Sequence, residues 1–288
     1  MRFDHDLCML FLYHKCDELT LFHLESLRKH NPDACIIPLT DTVQELIPGS
    51  IDVSGFDSSF QDAEKWRSID TTVYRWFENR TFNARKYLFI EYDCYCTVNL
   101  AEYYGDLNDA DVMGVYFFSM RENPRWQWFR ELQTLPEEDR KLASGIAPFT
   151  CTMFRHEALE KVVANVYRHD VFCELRLGTT IRKLNLKFRR LPLFKRSTIC
   201  WHVYPWQALR PGLFHSIKSL DHNAERYPQP GAVDICLYDV FRSLTPAKKF
   251  LPLYLQREGR SFFEDCKEFS RLALSGRLPG ISRHSHEN

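Results

Sequence analysis

The sequence predicts an α/β domain built on a mostly parallel central sheet flanked by helices. Three observations lead there. Residues 7–13 form an unbroken apolar run, Leu7-Cys8-Met9-Leu10-Phe11-Leu12-Tyr13, which is what a strand buried on both faces requires. Residues 7–40 then alternate strand, helix and strand, a β-α-β unit whose crossover is expected to be right-handed. Further buried strands at residues 87–90 and 110–118 alternate with helical patterns, the order of an α/β sheet.

Each element has its own signal. Asp17 stands where a helix N-cap belongs, and Leu19, Phe22 and Leu27, broadened by Leu21 and Leu24, form the expected inner face until Asn31-Pro32 ends the helix. Residues 34–39 follow as a second buried strand. Residues 40–65 lose all periodicity among Pro48, Gly49 and Gly55 and read as loop. A helix over 68–80 puts Val73, Trp76 and Phe77 on one face. The strand Tyr87-Leu88-Phe89-Ile90 runs directly into Glu91-Tyr92-Asp93. Residues 121–143 are polar and read as a partly helical surface segment. Residues 145–154 read as a strand turning into a helix whose Leu159, Val162, Val163 and Val166 fall at i, i+3, i+4 and i+7. A helix over 173–185 carries Leu177, Ile181 and Leu184, and residues 186–191 return as a strand. Beyond Pro211 the pattern is irregular until Ser261-Phe262-Phe263-Glu264, a capping box that opens a helix with Phe262, Cys266 and Phe269 inward. The last ten residues read as frayed. The expected organisation is one domain over residues 1–220 and a C-terminal helical extension over 221–288.

Composition narrows the partners. The 288 residues hold 38 Lys plus Arg against 38 Asp plus Glu, so no positive excess marks a nucleic-acid or anionic-lipid surface. The seven-residue apolar run falls far short of the roughly 18 residues that suggest a membrane span. It also lacks the basic start of a secretory signal. The ten cysteines include no C-x-x-C pair and read as reduced thiols packed in the core of a cytoplasmic chain. A phosphate loop, a dinucleotide-binding glycine fingerprint and a G-x-S-x-G elbow are all missing.

The acidic residues carry the chemistry. A strand buried on both faces that ends in Glu-x-Asp delivers carboxylates to the sheet edge where ligands bind in open α/β folds. Two such groups side by side are relieved by a divalent cation, and oxygen ligands suit Mg²⁺ or Mn²⁺. Solvated turn residues would read the same way in isolation.

In order and spacing, the chain resembles the nucleotide-sugar-dependent glycosyltransferases of the GT-A type over about residues 5–220. The pieces that carry the resemblance are the opening β-α-β unit, Tyr87-Leu88-Phe89-Ile90-Glu91-Tyr92-Asp93, residues 145–166, Cys173-Glu174-Leu175-Arg176-Leu177-Gly178-Thr179-Thr180, and Phe214-His215-Ser216-Ile217-Lys218. The resemblance implies a single Rossmann-like domain that binds a nucleoside diphosphate sugar and Mn²⁺ or Mg²⁺. Its activity would be transfer of the sugar to a hydroxyl of a carbohydrate or glycoconjugate acceptor. Asp93 matches the second acid of the family motif, a direct metal ligand. Glu91 matches the first, which contacts the ribose or the metal, here with one methylene more than the commoner Asp. Tyr13 and His14 end the first strand, where the family receives the base and ribose, and Asp41 closes the second strand beside them.

The later residues leave alternatives open. His215, in Phe-His-Ser-Ile-Lys, would complete the metal shell and Lys218 would face the diphosphate, while His202 in Cys200-Trp201-His202 is the rival ligand. Glu174 at a helix start is either the base that takes the acceptor's proton or an acid that serves free N–H groups. Asp70 either contacts the nucleotide or sits on a solvated helix face. Trp126 and Trp128 form either an acceptor platform or one face of a strand. A non-catalytic glycan- or protein-binding relative is the alternative class. A nucleotidyltransferase ranks last, since His14-Lys15-Cys16-Asp17 lacks the glycines of its loop.

Overall fold

The computed structural model describes residues 2–41, 45–57, 59–60, 64–196, 198–199 and 212–217. The expected helix near residue 261, its inward residues, the frayed end, His202 and Lys218 lie outside them. The chain divides into two compact units, Met1–Tyr92 with Asn99–Arg190, and Asp93–Val98 with Leu191–Asn288.

The first unit is the predicted α/β layer. It contains β1 (His5–Leu12), α1 (Glu18–His30), β2 (Cys35–Thr40), β3 (Ile51–Asp52), α2 (Ile69–Asn79) and β4 (Ala84–Glu91). The second unit's β5 (Tyr95–Cys96) interrupts, after which the first continues with α3 (Leu100–Tyr104), β6 (Val112–Gly114), β7 (Tyr116–Ser119), β8 (Ser144–Ala147), β9 (Met153–Arg155), α4 (His156–Asn165), α5 (Cys173–Lys183) and β10 (Phe188–Arg190). Seven strands form the sheet in the order β10-β6-β9-β4-β1-β2-β3. Every pairing is parallel except those of β9, which runs antiparallel to both β4 and β6.

Burial on both faces explains the apolar runs. Cys8, Leu10 and Leu12 of β1 and Tyr87 and Phe89 of β4 belong to one core cluster with residues of α2, α4 and α5. Leu7, Met9, Phe11, Leu88 and Ile90, which alternate with them, are also buried. Val73, Trp76 and Phe77 of α2 face inward, as their spacing predicts. Of the seven described cysteines, none of them in a disulfide, five are buried. Among the described residues, no helix is long and apolar enough to cross a membrane.

Four local expectations are corrected. On α1 the inner face is Thr20, His23, Leu24 and Leu27, while Phe22 is exposed. The buried polar side chains are accepted because they find partners: His23 Nδ1 meets Tyr92 O at 2.8 Å, and Asn31 Oδ1, just past the helix, accepts from Leu100 N at 2.6 Å. Residues 110–118 are not one strand; β6 stays in the main sheet and β7 leaves it to pair antiparallel with β8. Residues 145–154 likewise divide into β8 and β9, with a loop between them. Residues 121–143 are partly helical as expected, with two 3₁₀ segments, Gln127–Thr134 and Glu137–Leu142, so the strand face allowed for Trp126 and Trp128 is replaced, and Trp126 packs edge-on against Phe118 and Phe129.

Gly178 is required by close approach. A Cβ there would overlap the Ser144 carbonyl oxygen and lie 2.8 Å from the Gly145 carbonyl carbon, so α5 can press on β8 only without it. Gly178→Ala should therefore destabilise the fold by about 1–3 kcal/mol through overpacking, despite the gain of about 1 kcal/mol in helix propensity; urea unfolding measures the balance.

Asp17 caps α1 as expected: its Oδ1 accepts from Thr20 N at 2.9 Å and Thr20 Oγ1 at 2.7 Å, and Oδ2 meets Lys15 Nζ at 2.6 Å. Partial burial raises its pKa, but the bonds from Lys15 and Thr20 outweigh this and bring it down to about 2. Because the folded value is depressed, the cap's contribution is complete above the ordinary carboxylate range and fades as pH falls through about 2. Asp17→Ala should cost about 1 kcal/mol at neutral pH, and acid titration of both proteins should show the gap closing between about pH 4 and pH 2.

Candidate functional site

Three parallel strands of the first unit end in one row. The ladder pairs Leu12 with Leu39 on one side and with Glu91 on the other. It continues past the strand ends, with Tyr13 N donating to Leu39 O at 3.1 Å and Tyr92 N to Leu12 O at 2.8 Å. Tyr13 and His14 after β1, Asp41 after β2 and Glu91 at the end of β4 therefore leave the sheet along one edge, the C-terminal edge of its parallel strands.

The side chains along that edge differ in their commitments. The Tyr13 hydroxyl donates to Ser50 Oγ at 2.8 Å and accepts from Ile47 N at 3.2 Å, so it holds residues 47–50 over the end of the strand. His14 stands edge-on to Tyr92, ring centroids 4.5 Å apart. Burial first, and Lys15 second, lower its pKa against the opposing pull of Glu91 and Asp41, which keeps the ring neutral near pH 7. Glu91 is half-buried, and its backbone N–H donates to Thr150 Oγ1 at 2.9 Å.

The second unit presents the other acid. Its β5 pairs antiparallel with β11 (Leu213–Phe214), Tyr95 opposite Phe214 and Cys96 opposite Leu213. Thr97 N and Gly212 O close one end at 2.9 Å, and Ile217 N and Asp93 O the other at 2.9 Å. From Phe214 to Ile217 the later segment therefore takes one residue more than the earlier one does from Asp93 to Tyr95. His215 lies in that stretch, where its own N–H donates to Thr198 O at 3.0 Å. The result is a buried pair: His215 Nε2 is 3.6 Å from Asp93 Oδ1, with the side chains 3% and 7% exposed.

This distance bears on what the pair can hold. It is too long for a hydrogen bond. Two atoms that each sit about 2.1 Å from one ion are at most about 4.2 Å apart, so the pair is close enough to share a divalent cation. One carboxylate oxygen and one imidazole nitrogen are donors that Mn²⁺ accepts readily.

Two other candidates are held inside the first unit. Asp70 is fully buried, and its Oδ2 is 3.0 Å from Arg176 Nε, itself 1% exposed. Arg176 also donates to Ser68 Oγ at 3.1 Å and to the Tyr167 and His169 carbonyls, each at 3.4 Å. Burial pushes the Asp70 carboxyl up against the downward pull of Arg176. The solvated helix face allowed for Asp70 is thus replaced by a buried ion pair. Glu174, 2% exposed in the first turn of α5, accepts the Phe149 N–H at Oε1 over 3.0 Å. Trp128 stacks on Phe172 at 3.9 Å.

Sequence reasoning missed Arg176 and His23. Neither has a local signal, because the carboxylate that pairs with Arg176 and the carbonyl that holds His23 both lie more than 60 residues away along the chain.

No family model matches this chain, and no curated protein matches it. It is similar to solved glycosyltransferase structures. One is the galactosyltransferase LgtC in complex with donor and acceptor sugar analogues, at 12% identity over 63% of this chain and 72% of that one, with a TM-score of 0.35. An active-site mutant of LgtC matches at 11% identity over 63% and 72%, with a TM-score of 0.33. The bifunctional glycosyltransferase WbbM matches at 14% identity over 66% of this chain and 39% of that one, with a TM-score of 0.40. One layer arrangement can host many chemistries, so function has to be argued from the site.

The buried ion pair gives a stability prediction. Arg176→Met leaves Asp70 in the core without its counter-charge and should cost about 3–5 kcal/mol. The double variant Asp70→Leu/Arg176→Met should recover much of that loss, as read from denaturant midpoints.

Proposed function

We propose that this chain is a metal-dependent glycosyltransferase that moves a sugar from a nucleoside diphosphate donor to the hydroxyl of a carbohydrate or glycoconjugate acceptor. The observation that carries the reading is the buried approach of His215 to Asp93 over 3.6 Å. Asp93 and His215 would hold Mn²⁺ or Mg²⁺, and Glu91, only two residues before Asp93 in the chain, would supply a further oxygen. An ion held there would act as a Lewis acid, neutralising charge on the departing nucleoside diphosphate.

The protein's own groups divide the remaining work. The neutral His14 ring with Tyr92, and the carboxylate of Asp41, stand along the sheet edge where a nucleoside would lie. An uncharged imidazole can face a base without a desolvated charge, and a carboxylate can accept from ribose hydroxyls. Tyr13, through its bonds to Ser50 and Ile47, would shape the wall of that subsite instead of touching the ligand by its hydroxyl. Lys218 is proposed as a point charge on the diphosphate. Glu174 is proposed as the base for the acceptor hydroxyl in an inverting reaction, with Oε1 held by the Phe149 N–H.

The test is incubation with UDP- and GDP-sugars and Mn²⁺. One donor should be hydrolysed or transferred with release of its nucleoside diphosphate, and that diphosphate should raise the melting temperature only when metal is present. Asp93→Ala and His215→Ala should each reduce turnover by about a hundredfold or more, the scale of losing a charge-stabilising group. Nucleotide stabilisation that survives both EDTA and Asp93→Ala would overturn the reading.

A further inference from the structure

The middle residue of Glu91-Tyr92-Asp93 has its backbone held from both sides. Tyr92 N donates to Leu12 O at 2.8 Å, as the last rung of the β1–β4 ladder. Its carbonyl oxygen is 2.8 Å from Nδ1 of His23, a fully buried side chain on α1. A carbonyl can only accept, so Nδ1 carries the proton. Burial in turn lowers the pKa of His23, which favours the neutral ring with a single N–H. The helix that carries the ring is itself fixed at its start by the Asp17 cap.

The Tyr92 carbonyl belongs to the peptide group whose nitrogen is that of Asp93. Fixing this oxygen fixes the rotation of that peptide plane, and so the direction in which the chain leaves β4 toward Asp93. A hydrophobic side chain at position 23 would fill the same space on α1 without gripping the oxygen.

We propose that His23 is a positioning residue for the acidic motif: its Nδ1–H sets the Tyr92–Asp93 peptide plane and thereby aims Asp93 at its ligand. The inference rests on the reading of Asp93 as a metal ligand, and it adds a residue that touches neither metal nor substrate. Its chemical content is one hydrogen-bond donor at one place. Asn puts an amide N–H close to the position of Nδ1, whereas Gln carries its amide farther out, near Nε2.

The experiment compares the full chain with His23→Asn, His23→Gln and His23→Leu by two readouts. Free Mn²⁺ followed by electron paramagnetic resonance gives metal affinity, and deuterium uptake over residues 90–98 gives the order of the motif backbone. His23→Leu should weaken Mn²⁺ binding by about tenfold or more, the range for outer-shell partners of metal ligands, and should speed exchange in that segment. His23→Asn should restore both toward wild type, and His23→Gln should not. If His23→Leu does not fold, the contrast between Asn and Gln decides alone. Equal Mn²⁺ affinity and equal exchange in all variants would reduce His23 to core filling, and an Asn variant as impaired as the Gln variant would remove the donor from the explanation. If the wild-type chain binds no Mn²⁺, the metal reading of Asp93 fails. The exchange data then decide the positioning role by themselves: faster in Leu and rescued in Asn supports it, and unchanged overturns it.

Discussion

The level ending of β2, β1 and β4 is the constraint on which the rest of the first unit depends. Leu39, Leu12 and Glu91 form one row across the sheet, and one more backbone bond extends each pairing beyond it. Parallel strands have their connecting helices on the faces, so their C-terminal ends line up along one edge. Three chain segments turn away from the sheet at that edge, which brings Tyr13, His14, Asp41 and Glu91 together from widely separated stretches of sequence. A slip of one residue in β4 would turn Glu91 to the opposite face and leave its row.

Buried polar pairs fix the position of what surrounds this edge. Asp70 with Arg176 ties α2 to α5, Asn31 ties the end of α1 to the start of α3, and His23 ties α1 to the motif after β4. An apolar pair at any of these places would tolerate sliding. A hydrogen bond within a low-dielectric core does not, because losing it leaves a desolvated group with nothing in exchange. Such pairs add little net stability over apolar substitutes, and their contribution is to limit the arrangements in which the layers can pack.

What the sequence made legible follows from the range of the interactions involved. β1, β4 and the inner face of α2 are written locally, since Leu7 through Tyr13, Tyr87 through Ile90, and Val73, Trp76 and Phe77 are apolar at the spacing their burial demands. The Asp17 cap is equally local. The inner face of α1 is not legible locally because Thr20 and His23 are polar, and a carbonyl 69 residues away helps make His23 acceptable inside. Residues 110–118 look like one strand because nothing in their side chains records that β7 abandons the main sheet for β8. For the candidate site, the order of Glu91, Asp93 and His215 was legible through resemblance. That Asp93 and His215 share a metal shell was likewise an implication of the resemblance, whereas the approach itself depends on the pairing of β5 with β11 and has no local signal. Asp70 was open to misreading for the same reason: its partner Arg176 is on another helix.

Burial also bears on what the Asp93–His215 pair is for. Removing a carboxylate from water costs several kcal/mol unless charge or hydrogen bonds replace the lost hydration. From His215, at 3.6 Å, a neutral ring adds little against that cost and an imidazolium adds one positive charge, beside the other interactions that Asp93 makes. On the proposed reading a divalent cation would offer two charges and take up the imidazole lone pair as well, so one occupant would engage both side chains. That is the physical difference between a pair retained for stability and a pair retained for a ligand. In the first case, replacing both residues with apolar ones would leave the protein as stable or more so under all conditions; in the second, the native pair would become the more stable one as Mn²⁺ is added.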